Sequence, residues 1–388
     1  MSMKKFTKKM LAIVAAAAMT MGLAMPAFAS EEGETSQKAT KAYISKTYNT
    51  EVGKTFSFSF TATQDKTSEG VITTEHSITI PAISFTDTET GSTTKLGTEI
   101  NFGTFTEAGK YVYTVKEGTS TPSITDSEHE KLIMSQAEYK MDVYVVENAG
   151  KYEIDNIIVN KTKDDKGGEV SGKVDIGSEP TTNGFRFENT YVKEAGTGTD
   201  PTTPEPDDYK KFGSLNVSKK IGMANREEPD ATKEFDFTAT FAFPAGTDAN
   251  TLGGVKADGT AITLTGAKSD TYEFKMTHNK SVKFTGLPVG TKISVTEAAT
   301  PNYKGSAKVT INGVEDSTVV TTSKYNEKLT VSDKKLGQNK NAVDVTNTYN
   351  NVPTTGIIMN TLPYVLMVAL CGVALVAFVA SKRRKVQK

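Results

Sequence analysis

The 388-residue chain has little of several residue types on which common protein chemistries depend. It contains one cysteine, no tryptophan and three histidines. The histidines, at positions 76, 129 and 278, are too scattered to have the spacing of metal ligands. The sequence also has no phosphate-binding loop, no Gly-x-Ser-x-Gly segment and no Gly-rich dinucleotide motif. These absences argue against an enzyme that turns over, and no metal or cofactor is predicted.

The N-terminal end has the features of a secretory signal peptide. Four lysines lie within the first nine residues, and an alanine-rich apolar run follows over residues 10–23. Ala27 and Ala29 then form an A-x-A cleavage site. Positive charge, apolar core and small-residue site in this order predict a signal peptide over residues 1–29. The alternative is an N-terminal membrane anchor, for which the apolar run is short.

The C-terminal end contains three features in a fixed order. Residues 362–380 are apolar over a length that could span a bilayer, and the basic tail 381–388 would hold that end in the cytoplasm. A pentapeptide precedes the span and consists of Val352, Pro353, Thr354, Thr355 and Gly356. The trio resembles the cell-wall sorting signal of Gram-positive bacteria, and an ordinary C-terminal membrane anchor is the alternative.

The resemblance implies how the C-terminal end is processed. A sortase thiolate would attack the carbonyl of Thr355, release Gly356 and pass the acyl group to an amine. Val352 stands where the housekeeping sortase signal has leucine, which favours a pilus-type sortase. The mature protein would therefore be anchored to peptidoglycan at the cell surface, after a transient stage in the membrane.

Removal of both ends changes the composition of the chain. The single cysteine, Cys371, lies in the discarded span, so the mature protein can form no disulfide. Nine of the 45 Lys and Arg residues also lie in the discarded ends, which leaves 36 against 46 acidic residues and a net charge of −10. An acidic surface argues against nucleic-acid binding, which needs a basic footprint.

The mature chain divides into two parts of ordinary domain size. Residues 192–210 are rich in Pro, Thr, Gly and acidic residues, which predicts an extended linker between domains at 40–191 and 211–350. Apolar residues alternate with polar ones at 56–60 and at 235–243, which is typical of strands with one buried face. The pattern predicts an all-β fold with two tandem β-sandwiches. The best candidate for a helix is the segment 127–137.

The two domains share the order of three polar residues. Each has a lysine on an early alternating strand, a glutamate at the end of a Gly-led strand, and an asparagine in a final Asn-Thr-Tyr segment. Residues two apart on a strand share a face, so each lysine and asparagine should point inward with its apolar neighbours. The sets are Lys46, Glu117 and Asn189 in the first domain, and Lys219, Glu297 and Asn347 in the second.

This repeated order resembles the major pilins, or T antigens, of streptococci, whose domains carry Lys–Asn isopeptide bonds. The resemblance implies immunoglobulin-like sandwiches of the collagen-adhesin B type, with bonds from Lys46 to Asn189 and from Lys219 to Asn347. Glu117 and Glu297 would catalyse them. It also implies an acceptor lysine upstream of Asn189 that joins the next subunit. Of Lys161, Lys163, Lys166 and Lys173, we choose Lys173, because Val170, Val174 and Ile176 alternate inward around it and would place it on regular structure.

Residue chemistry supports such a bond. Burial favours the neutral amine of a lysine, which is a nucleophile, and the neutral acid of a glutamate. A protonated glutamate could donate a hydrogen bond to the asparagine carbonyl and move protons from the amine to the departing ammonia. The alternative for any one of these residues is an ordinary solvated strand position. Lys220 is the natural competitor of Lys219 but lies on the opposite strand face.

Two functions are compatible with these features. The first is a structural subunit of a pilus, with a sortase, other pilin copies, ancillary pilins and peptidoglycan as partners. The second is a monomeric wall-anchored adhesin or stalk that binds a host surface ligand. The short two-domain chain and Val352 favour the pilus subunit.

We expect the wall-linked protein to begin at or next to Ser30 and to end at Thr355. N-terminal sequencing and C-terminal peptide mapping of wall extracts measure both ends. Recovery of peptides from residues 362–380 in wall-linked material would contradict sortase processing.

Overall fold

The computed structural model describes residues 38–199, 206–223, 228–266 and 268–349, and six residues between 367 and 374. The predicted signal peptide with Ala27 and Ala29, the pentapeptide 352–356 and the tail 381–388 lie outside the described residues, as does most of the span 362–380. No helix in the described part of the chain is long and apolar enough to cross a membrane. Residues 39–349 belong to one compact unit.

The first half of this unit contains ten strands in two sheets. One sheet has the order β4-β1-β10-β6, and the other has the order β3-β2-β5-β7-β8-β9. The strands are β1 Ser45–Thr50, β2 Phe56–Asp65, β3 Ile83–Phe85, β4 Gly91–Leu96, β5 Gly109–Thr121, β6 Glu130–Ile133, β7 Glu138–Asn148, β8 Lys151–Lys163, β9 Glu169–Val174 and β10 Arg186–Lys193. The first strand, β1, lies parallel to the last, β10.

The second half begins with a short helix, α1 (Asp207–Phe212), and again forms two sheets. The orders are β14-β13-β16-β11-β22-β18-β19, with β20 beside β18, and β15-β12-β17-β21. The strands are β11 Leu215–Met223, β12 Phe235–Ala242, β13 Lys256–Ala257, β14 Thr260–Ala261, β15 Ser269–Met276, β16 Lys280–Thr285, β17 Lys292–Glu297, β18 Tyr303–Ile311, β19 Val314–Glu315, β20 Val320–Thr321, β21 Leu329–Lys335 and β22 Ala342–Tyr349. The first long strand, β11, lies parallel to the last, β22.

The alternating sequence patterns produce the core, and the predicted all-β class with tandem sandwiches is confirmed. Phe56, Phe58 and Phe60 are buried on β2, while the serines between them are partly exposed. On β12, Phe235, Phe237, Ala239 and Phe241 are buried in the same way. Because side chains alternate between faces of a strand, each run of aromatic residues fills the space between two sheets.

The helix predicted over residues 127–137 is wrong. Residues 130–133 form β6, which pairs antiparallel with the end of β10, from Thr190 to Lys193. Local sequence favoured a helix, but an isolated helix of this length is marginal without tertiary packing. Pairing with β10 satisfies the backbone groups of this segment and overrides the local preference.

The segment predicted as an extended linker is structured at both described ends. Its first two residues, Val192 and Lys193, belong to β10, and its last residues belong to α1. Between them, Glu194 pairs with Pro288 in an isolated bridge, and Ala195 N–H donates to the carbonyl of Leu287 at 2.8 Å. The chain therefore leaves the first sandwich already hydrogen-bonded to the second.

The side chain of Glu194 fixes this junction. The residue is 4% exposed. Its Oε1 accepts hydrogen bonds from Tyr209 Oη at 2.7 Å, Ser214 Oγ at 2.6 Å and Gly286 N–H at 2.5 Å. The donors come from α1, the residue that precedes β11 and the turn after β16. One carboxyl oxygen thus joins the end of the first sandwich to three segments of the second.

We expect Glu194→Ala to lower the free energy of unfolding by about 3 kcal/mol, because three donors would lose their acceptor. Thermal and urea unfolding of residues 30–355 measure the change. The matched control is Glu51→Ala, because the Glu51–Lys335 ion pair (2.6 Å) also connects the two sandwiches but is partly exposed. An exposed pair contributes at most about 1 kcal/mol. Equal losses from the two substitutions would contradict the role of Glu194.

Candidate functional site

The first site is built from three strands. Lys46 on β1 pairs in register with Phe187 on β10, and Tyr48 pairs with Asn189. Lys46 and Asn189 therefore lie two residues apart along the parallel pair, with their side chains on the same face. Glu117 comes from β5 in the opposite sheet. All three side chains meet in the space between the sheets.

The three side chains are in direct contact. Lys46 Nζ lies 2.5 Å from Glu117 Oε1, and the two side chains are 0% and 1% exposed. Asn189 Nδ2 donates to the same Oε1 at 3.0 Å. The ring of Phe58 lies under the amine, 4.6 Å from its centroid to Nζ. Asn189 itself is fully buried.

The surroundings shift the protonation of both ionisable groups. Burial lowers the pKa of Lys46 from 10.5 to about 8, although the nearby Glu117 works in the opposite direction. Burial likewise raises the pKa of Glu117, against the opposing effect of Lys46. Each shift moves its group toward the uncharged form, which is the neutral amine for Lys46 and the neutral acid for Glu117.

The second site repeats this arrangement on corresponding strands. Lys219 on β11 and Asn347 on the parallel strand β22 are offset by two residues in the register, and Glu297 comes from β17 in the opposite sheet. Lys219 Nζ donates to Glu297 Oε1 at 2.9 Å and to Oε2 at 3.0 Å. Asn347 Nδ2 donates to the same Oε1. Their exposures are 1%, 3% and 2% for Lys219, Glu297 and Asn347.

The electrostatics of the second site follow the same pattern. Burial lowers the pKa of Lys219 from 10.5 to about 8 and raises the pKa of Glu297. The amine of Lys219 lies 3.9 Å from the centroid of the Phe235 ring. Lys220, the neighbouring lysine, is exposed, as its strand face predicts.

The glutamates contact the asparagine amides in a way that differs from the expectation. The carboxyl group was expected at the carbonyl oxygen, but in both sites Oε1 receives the amide nitrogen Nδ2. The same oxygen also touches the lysine Nζ. One carboxyl oxygen therefore lies beside both the attacking nitrogen and the nitrogen that would leave, which is the arrangement for a direct proton relay.

One contact of the first site involves a residue that the sequence analysis missed. The backbone N–H of Ser135 donates to Asn189 Oδ1 at 2.7 Å and, more distantly, to Glu117 Oε2 at 3.2 Å. Ser135 lies in the loop between β6 and β7. Every residue except proline carries a backbone N–H, so no sequence signal could have identified this donor.

The four candidate acceptor lysines occupy different environments. Lys161 Nζ lies 2.9 Å from Asp165 and Lys163 Nζ lies 2.7 Å from Glu138, whereas Lys166 and Lys173 are exposed. Lys173 lies on β9, the edge strand of its sheet. Val170, expected to point inward on this strand, is 41% exposed instead. The edge of β9 packs less tightly than its sequence suggested.

No cluster of three or more potential metal ligands occurs in the part of the chain that the structure describes.

Residues 213–349 match a protein family described as a domain of unknown function, DUF7601. A search of curated proteins found no match.

Among solved structures, the chain is similar to the major pilin of Streptococcus pyogenes. The identity is 20%, with a TM-score of 0.30, over 81% of this chain and 99% of that chain. A second S. pyogenes major pilin, T3.2, gives 19% identity and a TM-score of 0.30 over 80% and 99% of the two chains. A pilus-presented adhesin gives 16% identity and a TM-score of 0.24 over 54% and 35%.

Proposed function

We propose that the chain is a structural subunit of a sortase-assembled surface pilus, and that each sandwich is closed by a self-formed Lys–Asn isopeptide bond. The observation that carries the proposal is the buried Lys–Glu–Asn group, repeated on corresponding strands of both sandwiches. Burial of a lysine costs free energy unless its amine has a partner, and lysines usually lie on the surface. Two buried lysines with matching glutamate partners are therefore unusual.

The reaction follows from the contacts. The neutral amine of Lys46 attacks Cγ of Asn189, forming a C–N bond, and the amide Nδ2 leaves as ammonia. Glu117 gives its proton to Nδ2 and receives one from Nζ, so the carboxyl group ends as it began. Lys219, Glu297 and Asn347 perform the same steps in the second sandwich. Each site reacts once, so the protein is not an enzyme in the ordinary sense.

The proposed bonds join the strands that carry mechanical load. The polypeptide enters the first sandwich near β1 and leaves it from β10, and it crosses the second from β11 to β22. A covalent bond between neighbouring first and last strands would carry tension past the rest of each sandwich. In a chain without disulfides, this is the cross-link that a wall-anchored fibre needs.

The remaining partners follow from the two ends of the chain and its charge. A sortase, of the pilus type, would cleave after Thr355 and join this residue to a lysine of another pilin copy or of an ancillary pilin. The last subunit would be transferred to peptidoglycan. The acidic mature surface is unsuited to nucleic acid.

A monomeric wall-anchored adhesin or stalk is the second candidate, since it would use the same ends and the same cross-links. A ladder of high-mass, SDS-resistant species in wall extracts supports the pilus subunit. A single species at monomer mass, bound to a host surface ligand, would support the adhesin.

We expect recombinant residues 30–355 to weigh less than calculated by the mass of two ammonia molecules. Glu117→Ala and Glu297→Ala should each restore the mass of one ammonia, because the proton relay at that site is lost. Each should also lower the free energy of unfolding by about 5 kcal/mol, the chain-entropy value for closing so long a loop. Intact-mass spectrometry and thermal unfolding measure the two effects.

The matched control for this experiment is Lys220→Ala, which removes the exposed neighbour of Lys219 and should leave the two-ammonia deficit unchanged. A folded wild-type protein with its full calculated mass would refute both bonds. A deficit of one ammonia would refute one of them, and the digested cross-linked peptides would identify which.

We expect Lys173→Arg to abolish the polymer ladder on cells, because arginine keeps the charge but cannot accept the Thr355 acyl group. The exposed position of Lys173 on an edge strand would present its amine to the sortase. Immunoblots of wall extracts measure the ladder, with Lys166→Arg as the exposed control. A normal ladder from Lys173→Arg would rule out this lysine as the acceptor.

A further inference from the structure

The two sites differ at the carbonyl oxygen of the asparagine. Asn189 Oδ1 accepts the Ser135 N–H at 2.7 Å. Asn347 Oδ1 is buried, and no donor among the described residues reaches it. Both sites share a lysine–glutamate contact and an asparagine amide nitrogen that donates to the same carboxyl oxygen. The asparagine carbonyl oxygen is one point at which the chemistry of the two sites can differ.

The Ser135 N–H is held in place by its loop. Ser135 Oγ donates to Asp165 Oδ1 at 2.6 Å, and the N–H of the next residue, Gln136, donates to the Asp165 carbonyl at 3.1 Å. The N–H of Ala137 returns to Ser135 Oγ at 3.1 Å. Asp165 Oδ1 also accepts the N–H of Glu188, which precedes Asn189. One aspartate thus fixes the donor relative to the strand that carries the asparagine.

The second site is closed at the corresponding position by strand β18. Gly305 pairs in register with Asn347. A Cβ atom at residue 305 would lie 3.3 Å from Asn347 Oδ1 and 3.1 Å from the Cβ of Leu329. The oxygen therefore lies close to Gly305, and the N–H of Gly305 is directed instead to Thr322 Oγ1 at 3.2 Å.

We propose that the Ser135 N–H stabilises the oxyanion that forms on Asn189 Oδ1 during isopeptide formation, and that the first bond consequently forms faster than the second. The inference rests on the proposed cross-linking function. When Lys46 Nζ bonds to Cγ, the electron pair of the C=O bond moves to Oδ1. When it returns, the Cγ–Nδ2 bond breaks and ammonia leaves with the proton relayed by Glu117.

In this reaction Glu117 and the Ser135 N–H act on different atoms. Glu117 contacts both nitrogens and moves the proton. The Ser135 N–H, which also lies 3.2 Å from Glu117 Oε2, stabilises the negative charge that forms on Asn189 Oδ1. Removal of one such donor typically slows acyl-transfer reactions by about 100-fold to 1,000-fold. Glu297 in the second site moves the proton without that help, so its bond should form more slowly.

The experiment follows both bonds in the same molecules. Residues 30–355 are made by cell-free translation with an isotopic pulse, quenched in denaturant at intervals and digested, and free and cross-linked peptides are quantified for each site. Ser135→Pro removes the N–H, whereas Ser135→Ala keeps it. We expect the first bond to form about 100-fold more slowly in Ser135→Pro than in Ser135→Ala, with the second bond unchanged as the internal reference.

A second pair of variants tests the role of the Ser135 N–H if Ser135→Pro fails to fold. Asp165→Ala releases the Ser135 loop, whereas Asp165→Asn keeps an oxygen that can accept from Ser135 Oγ and Glu188 N–H. Both remove the same negative charge near Lys46, so any electrostatic effect on the amine is equal in the two. We expect slower formation of the first bond in Asp165→Ala than in Asp165→Asn, in protein whose thermal unfolding shows both variants to be folded.

The outcomes separate this inference from the function on which it rests. If both bonds form but Ser135→Pro folds and reacts like Ser135→Ala, or the two Asp165 variants react alike, the oxyanion role is overturned and the cross-links stand. If neither site loses ammonia, the cross-linking function falls, and this inference falls with it.

Discussion

The burial of a lysine amine between two sheets, against a glutamate from the facing sheet, is the constraint around which each sandwich is arranged. An isolated charge in such a place would cost several kcal/mol, and burial accordingly moves the pKa of both groups toward favouring their neutral forms. Phenylalanine rings line the pocket beneath each amine. The aromatic strands that build the core therefore also create the apolar environment that favours the neutral form of the lysine amine.

The inward orientation of these lysine and asparagine side chains could be predicted from the apolar residues two positions away on the same strands. Lys46 and Asn189 could be placed inside because their neighbours two positions away are apolar, and the same argument held for Lys219 and Asn347. Strand periodicity thus predicts which face a side chain occupies. It also predicted the all-β class, since the Phe-rich runs at β2 and β12 have no comparable helical interpretation.

The parts that could not be predicted depend on partners distant in sequence. β6 forms because the end of β10 offers backbone groups to it, and nothing within residues 127–137 reveals that partner. The Glu194 junction could not be predicted for a related reason. The Pro- and Thr-rich composition after it indicates a spacer. Glu194 and Ala195, however, form hydrogen bonds with a turn nearly a hundred residues away in sequence. The Ser135 donor is a main-chain group and leaves no trace in the side-chain pattern at all.

The proposed cross-links would also make the covalent mass of the chain depend on whether it has folded. Lys46 and Asn189 come from opposite ends of their domain and meet Glu117 only when the two sheets close over one another. An amide bond made under those conditions survives later unfolding, since no step of the reaction is reversed by loss of structure. The covalent mass of each chain would then report whether that chain has ever been folded, one domain at a time, regardless of its state when it is measured.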